Sequence, residues 1–93
     1  MNRKQLVELA DARRLLLTGE GRRIRRASHL SQAEVAAQIG VSPATISRWE
    51  SSTRRPVGKP AIAYARLLSD LRARQALAEL DTFLGPLRER AQA

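Results

Sequence analysis

The tightest constraint on this fold lies in residues 31–50, where helix start and stop signals succeed one another with no room for a strand. Ser31 stands three residues before Glu34, the spacing at which a hydroxyl and a carboxylate satisfy each other's backbone N–H groups at a helix start. Ala33, Val35, Ala36 and Ile39 make a short, mostly small and apolar helix over 32–39, and Gly40 supplies the left-handed residue that stops it. Ser42 caps the next helix, 43–50, with Pro43 at its first position, where a missing N–H costs nothing. Ile46 and Trp49, three apart, give that helix a face suited to burial. Ala36 is small where the two helices must approach, and Val35, Ile39, Val41, Ile46 and Trp49 can share one core. Two short helices joined by Gly40-Val41-Ser42 make a helix-turn-helix.

The flanks read as helix too, so the expected class is all-α: no segment alternates polar and apolar residues, and β-branched residues are few. Residues 3–17 carry Leu6, Leu9, Ala10, Arg13, Leu16 and Leu17 at helical spacings, with Asn2 as cap and Gly19 or Gly21 as stop. A second segment, Gly21 to about Ser28, sets Ile24 and Ala27 on one side and Arg22, Arg23, Arg25 and Arg26 around the rest. Ser51, Ser52 and Thr53 close the second motif helix, and Arg54-Arg55-Pro56 opens an irregular basic loop. Helix resumes at Pro60 with Ile62, Tyr64, Ala65, Leu67, Leu68 and Leu71; Ser69-Asp70 can restart it as a separate helix to about Leu84, and Gly85-Pro86 interrupts. Leu77, Leu80, Leu84 and Leu87 form a packing stripe too short for a coiled coil. Trp49 belongs in the core and Tyr64 at its edge, while His29 packs or faces water near the cap at Ser31.

At 93 residues the chain supports one domain, 1–93, divided into an extra N-terminal helix (1–18), a helix-turn-helix core (19–71) and a C-terminal helical extension (72–93). With no cysteine and a single histidine, disulfides, a thiol nucleophile and the usual zinc sites are excluded. No acid, base or nucleophile cluster surrounds His29, so neither catalysis nor a metal or cofactor is expected. No signal core or bilayer-length apolar run is present, which points away from a membrane partner. Fifteen Arg and two Lys oppose nine acids, for a net charge of +8. Nine basic and three acidic groups fall in residues 19–66, whereas residues 67–93 hold four of each. A basic tail would hold its charge at one end; here the charge surrounds the motif, as a polyanion partner requires.

The run Leu30-Ser31-Gln32-Ala33-Glu34-Val35-Ala36 through Gly40-Val41-Ser42-Pro43-Ala44-Thr45-Ile46-Ser47-Arg48-Trp49-Glu50, with Arg54-Arg55-Pro56 and Tyr64-Ala65-Arg66-Leu67-Leu68, resembles the phage repressor and Cro-like (XRE-type) helix-turn-helix domain over about residues 20–71. The resemblance implies a compact repressor-like bundle in the cytoplasm of a bacterial or phage-infected cell, associated with the nucleoid. It also implies that Pro43, Ala44, Ser47 and Arg48 face the major groove, that Gln32 touches phosphate and can brace a base-reading side chain, and that Glu50 makes a structural contact. Arg54 and Arg55 match the basic loop that meets phosphates. Family members often carry Gly where this chain has Ser52.

The residues support the same division of labour. With the apolar set inward, Ala44, Thr45, Ser47 and Arg48 remain on the outer side of the second motif helix, and short side chains with one arginine fit a major groove. Arg48 is the expected base reader, through a bidentate contact to guanine worth about 1–3 kcal/mol, the alternative being a solvated arginine. Thr45 and Ser47 touch the DNA or face water, Pro43 or Ala44 packs on a thymine methyl, and DNA shape supplies the remainder. Gln32, Arg54, Arg55 and Lys59 are expected to position the backbone. The four arginines between 22 and 26 cannot all face DNA on a helix turning about 100° per residue. One or two, Arg22 and Arg23 among them, reach phosphates or pair with Glu20 and Glu34.

These expectations amount to a homodimeric repressor on a palindromic double-stranded DNA operator, with recognition helices about 34 Å apart. Leu77, Leu80, Leu84 and Leu87, in the charge-balanced stretch 70–87, are the favoured dimer contacts. Two alternatives remain. One is an antitoxin-like protein that binds its own promoter and a protein partner; the other is a nonspecific architectural DNA-binding protein.

Overall fold

The computed structural model describes residues 1–92, and most of them lie in five helices: α1 (Arg3–Leu17), α2 (Glu20–Ala27), α3 (Gln32–Ile39), α4 (Pro43–Glu50) and α5 (Gly58–Gln92). The helices begin where the sequence offers partners for orphan N–H groups. At α1 the Asn2 side chain accepts from the Gln5 N–H while the Gln5 side chain accepts from that of Asn2. Ser31 and Glu34 form the same reciprocal pair at α3. At α4 the Ser42 hydroxyl accepts from the Thr45 N–H, and Pro43 takes the first position. Gly19 and Gly40 both have φ of 79°, a region in which a side chain is strained. Gly19 turns the chain between α1 and α2, and Gly40 ends α3.

One core joins Val35, Ala36, Ile46 and Trp49 of the motif to Leu9, Leu15 and Leu16 of α1, Ile24 of α2, and Ala61, Ile62, Tyr64 and Leu68 of α5. Ile39 and Val41 pack half-buried at its rim. The inward row of α1 departs from expectation: Leu9 and Leu16 are buried, but Ala12 and Leu15 join them while Leu6, Ala10 and Leu17 face water. Both rows have helical spacing. The row containing Ala12, which is fully buried, is the inward one, and the main neighbour of α1 is α5. On α2, Arg25 rather than Ala27 is buried beside Ile24. Tyr64, expected at the core's edge, is wholly buried with its ring centroid 6.2 Å from that of Trp49. Its hydroxyl has a buried acceptor, so it need not reach water.

The larger correction concerns α5, which neither restarts at Ser69-Asp70 nor stops at Gly85-Pro86 but runs 35 residues unbroken. Leu68 and Leu71 hold the first site against the core while Ser69 and Asp70 face water. Pro86 removes one N–H from an exposed turn, where the Thr82 carbonyl it would have bonded is not cut off from solvent. Such a helix is about 52 Å long, and the molecule's longest dimension is 54 Å. Among the described residues, the last hydrogen bonds from α5 to the bundle come from Gln75, whose Nε2 donates to the Ile24 carbonyl (3.0 Å) and the Ser28 hydroxyl (2.9 Å). Beyond Gln75 the helix continues as an arm of roughly 25 Å.

Candidate nucleic-acid interface

The burial of α4 fixes what it offers outward. Ile46, Trp49 and Glu50 point into the bundle; Pro43, Ala44, Ser47 and Arg48 are exposed, and Thr45 is half-buried on the flank with its hydroxyl 3.0 Å from that of Ser42. At about 100° per residue, Ala44 and Arg48 lie at the middle of the outer face with Ser47 beside them. Among the described residues the Arg48 guanidinium has no ion pair. Its backbone carbonyl is occupied, accepting from the Thr53 N–H (2.9 Å) and the Arg54 N–H (3.2 Å).

Those two bonds fold the basic loop back onto the end of α4. Ser52, where a glycine was the family expectation, adopts φ of 60° and so keeps the left-handed turn at a steric cost. Arg54, Arg55 and Lys59 are all exposed, Lys59 on the first turn of α5. Pro56 is the loop's buried anchor, and its carbonyl accepts from Arg13 Nε of α1 at 3.0 Å.

Behind the face stands a buried ion pair between α2 and α4. Arg25 Nε donates to Glu50 Oε2 at 2.6 Å and Nη2 to Oε1 at 2.8 Å, with the two side chains 7% and 2% exposed. Gln32 Nε2 (2.9 Å) and the Tyr64 hydroxyl (3.0 Å) also donate to Glu50, and Arg25 Nη1 reaches the Leu30 carbonyl. Burial pushes the Glu50 carboxyl up, but the bonds from Arg25, Gln32 and Tyr64 outweigh it and hold the group below the usual carboxylate range. Burial, then the Glu50 charge, pushes the Tyr64 hydroxyl up. Among the described residues no buried side-chain polar atom lacks a partner.

Glu50 makes the structural contact that the resemblance implied, but its pairing with Arg25 was missed in the sequence. The arginine run does not pair with Glu20 or Glu34: Glu20 meets Arg14 and Arg72, and Glu34 is engaged in the α3 cap. The available signal was a charge on an otherwise apolar face of each helix, Arg25 beside Gly21 and Ile24, and Glu50 beside Ile46 and Trp49. Opposite charges on two inward faces call for each other. Gln32 braces Glu50, and no bond joins it to Arg48 among the described residues.

The remaining candidates separate in space. Arg22 and Arg23 are exposed, but Arg23 lines a hollow with Glu20, Arg72, Gln75 and Glu79, toward the arm rather than beside α4. His29 faces water with φ of 58°. On the arm, Leu77, Leu80 and Leu87 are 65%, 51% and 50% exposed and Leu84 half-buried; Phe83, not singled out in the sequence, is 71% exposed. This stripe lies roughly 160° around the helix from the row Ala61, Tyr64, Leu68, Leu71 and Gln75 that faces the bundle. It is a second surface, not a continuation of the core.

Among the described residues no group of three or more His, Cys, Asp or Glu is placed to hold a metal ion, and no helix is long and apolar enough to cross a membrane. No curated protein and no solved structure matches the chain. A helix-turn-helix family model matches residues 22–69, from the first residue of the arginine run through the first third of α5. That architecture is typical of non-catalytic DNA-binding regulators. The match spans just over half of the sequence, and the chain belongs to this broad Cro- and CI-like family of helix-turn-helix DNA-binding domains.

Proposed function

We propose that the protein is a sequence-specific regulator of the narrower repressor (XRE) type, acting from the bacterial cytoplasm or a phage-infected cell as a homodimer on a palindromic operator. The observation that carries this reading is the outer face of α4, where small side chains surround one arginine, without an ion pair among the described residues, on a helix fixed from behind. Arg48 reads guanine; Ala44, Pro43, Ser47 and Thr45 supply close approach and short contacts. Arg54, Arg55 and Lys59, joined by the N-terminal end of α3 at Gln32, hold phosphates, with Arg22 and Arg23 as outlying contacts. Residues 19–71 form the DNA-binding unit and residues 72–93 the self-association unit, through Leu77, Leu80, Leu84 and Leu87. Pairing sets two α4 helices one turn of DNA apart, and occupancy of a promoter excludes polymerase. Neither catalysis nor a cofactor enters this reading.

The exposed arm also favours a second reading, an antitoxin-like protein that covers the same stripe with a different protein while repressing its own promoter. Selection of random duplex DNA by the full chain tests the main reading. The expected product is an inverted repeat, preferred over shuffled duplex by about 10³-fold or more. An unenriched pool contradicts it and leaves a nonspecific coat.

A further inference from the structure

Helix α1 precedes the matched segment, and no DNA-facing role follows from its position; yet it carries an arginine in its inward part. Arg13 is half-buried, and its Nε donates to the carbonyl of Pro56, 43 residues away. Upstream, the loop between α4 and α5 is tied to α4 by the N–H groups of Ser51 through Arg54; downstream, the buried Pro56 ring and the Arg13 bond are what hold it. Ser51 through Arg55 are exposed, and its backbone bonds to α4 end with the Arg54 N–H on the Arg48 carbonyl. The two basic residues of the loop thus lie between two anchors, the end of α4 upstream and Arg13 downstream. Leu16 and Leu17 of α1 continue the contact, lining with Trp49, Ser52 and Pro56 a hollow of about 260 Å³ that Arg54 and Arg55 also border.

We infer that Arg13 is a positioning residue for DNA binding: through Pro56 it holds Arg54 and Arg55 in place before DNA arrives. The inference rests on the proposed phosphate role of that loop. The physical gain is preorganisation. A loop free at its downstream end must be ordered during binding, and that loss of freedom is subtracted from the affinity. Arg13 acts here as a geometric anchor and not as a phosphate ligand, so removing it affects binding strength without removing a released counterion.

Salt dependence separates the two roles. Arg13→Met keeps much of the aliphatic stem and removes the donor; it should weaken binding to the selected duplex about 5–10-fold while leaving the slope of log K against log salt at the wild-type value. Arg54→Ala or Arg55→Ala should lower that slope by about 0.9 for each phosphate that is no longer neutralised. Arg13→Lys, which keeps a donor, should restore affinity to within about 3-fold of wild type. Amide exchange at Thr53 and Arg54, whose N–H groups bond the Arg48 carbonyl, measured without DNA, should quicken in Arg13→Met and return toward wild type in Arg13→Lys. Unchanged affinity or exchange in Arg13→Met overturns the inference, and so does a slope reduced as in Arg54→Ala, which would make Arg13 a direct phosphate ligand. Unchanged slopes in both loop variants overturn instead the phosphate role on which the inference rests.

Discussion

The bundle and the arm each invert the usual distribution of residues, in opposite senses. The bundle buries two full charges, Arg25 and Glu50; the arm exposes Leu77, Leu80, Phe83 and Leu87. The first inversion is closed within the chain, because Gln32, Tyr64 and the Leu30 carbonyl complete the pair. The second is open, because nothing in the chain covers the stripe among the described residues. A buried charge with every bond made belongs to the architecture of one molecule, whereas a continuous exposed apolar row calls for another.

The sharpest test of that contrast is Glu50→Ala. It leaves the Arg25 guanidinium buried without its partner and should cost about 3–5 kcal/mol in chemical denaturation, a large part of a small domain's stability. A loss below about 1 kcal/mol would mean that the pair opens to water at little cost. The pair also has a pH signature. The folded Glu50 carboxyl is held below its unfolded range, so its contribution is fully present above the unfolded value and fades as pH falls below about 4. Glu50→Gln should lack that part of the acid limb.

The arm should respond in the reverse way. Leu80→Glu with Leu84→Glu should leave the stability of the isolated chain within about 0.5 kcal/mol, yet make it sediment as a monomer and bind a two-half-site duplex about 100-fold more weakly, roughly 2.7 kcal/mol. Affinity for a single half-site should not change. A wild-type chain that already sediments as a monomer in the presence of that duplex would break the comparison. The smallest effect belongs to Ser52→Gly, which should raise stability by about 1 kcal/mol by removing the strain of a left-handed serine.

Local chemistry explains which parts were legible in the sequence. The ends of α3 and α4 were readable because Ser31, Glu34, Gly40, Ser42 and Pro43 act on backbone groups close to them in the chain. The unbroken course of α5 was not, since Ser69, Asp70 and Pro86 act as breakers only where packing fails to hold the helix or where a lost bond cannot be replaced by water. Which row of α1 turns inward depends on how α1 packs against α5, and that packing is set by the fold. At the candidate site the outward residues of α4 followed from its inward ones. The Arg25–Glu50 pair, the Arg13–Pro56 bond and the depth of Tyr64 join residues 25, 43 and 14 positions apart, beyond the reach of helical periodicity.

The central claim is that α4 reads bases while the surrounding charge only positions the backbone. It is tested most directly by titrating wild type and Arg48→Ala against the selected duplex and its shuffled counterpart at one salt concentration. The account predicts that Arg48→Ala loses about 1–3 kcal/mol on the selected duplex and little on the shuffled one. Equal losses on both would contradict it, reducing Arg48 to one more positive charge on the surface.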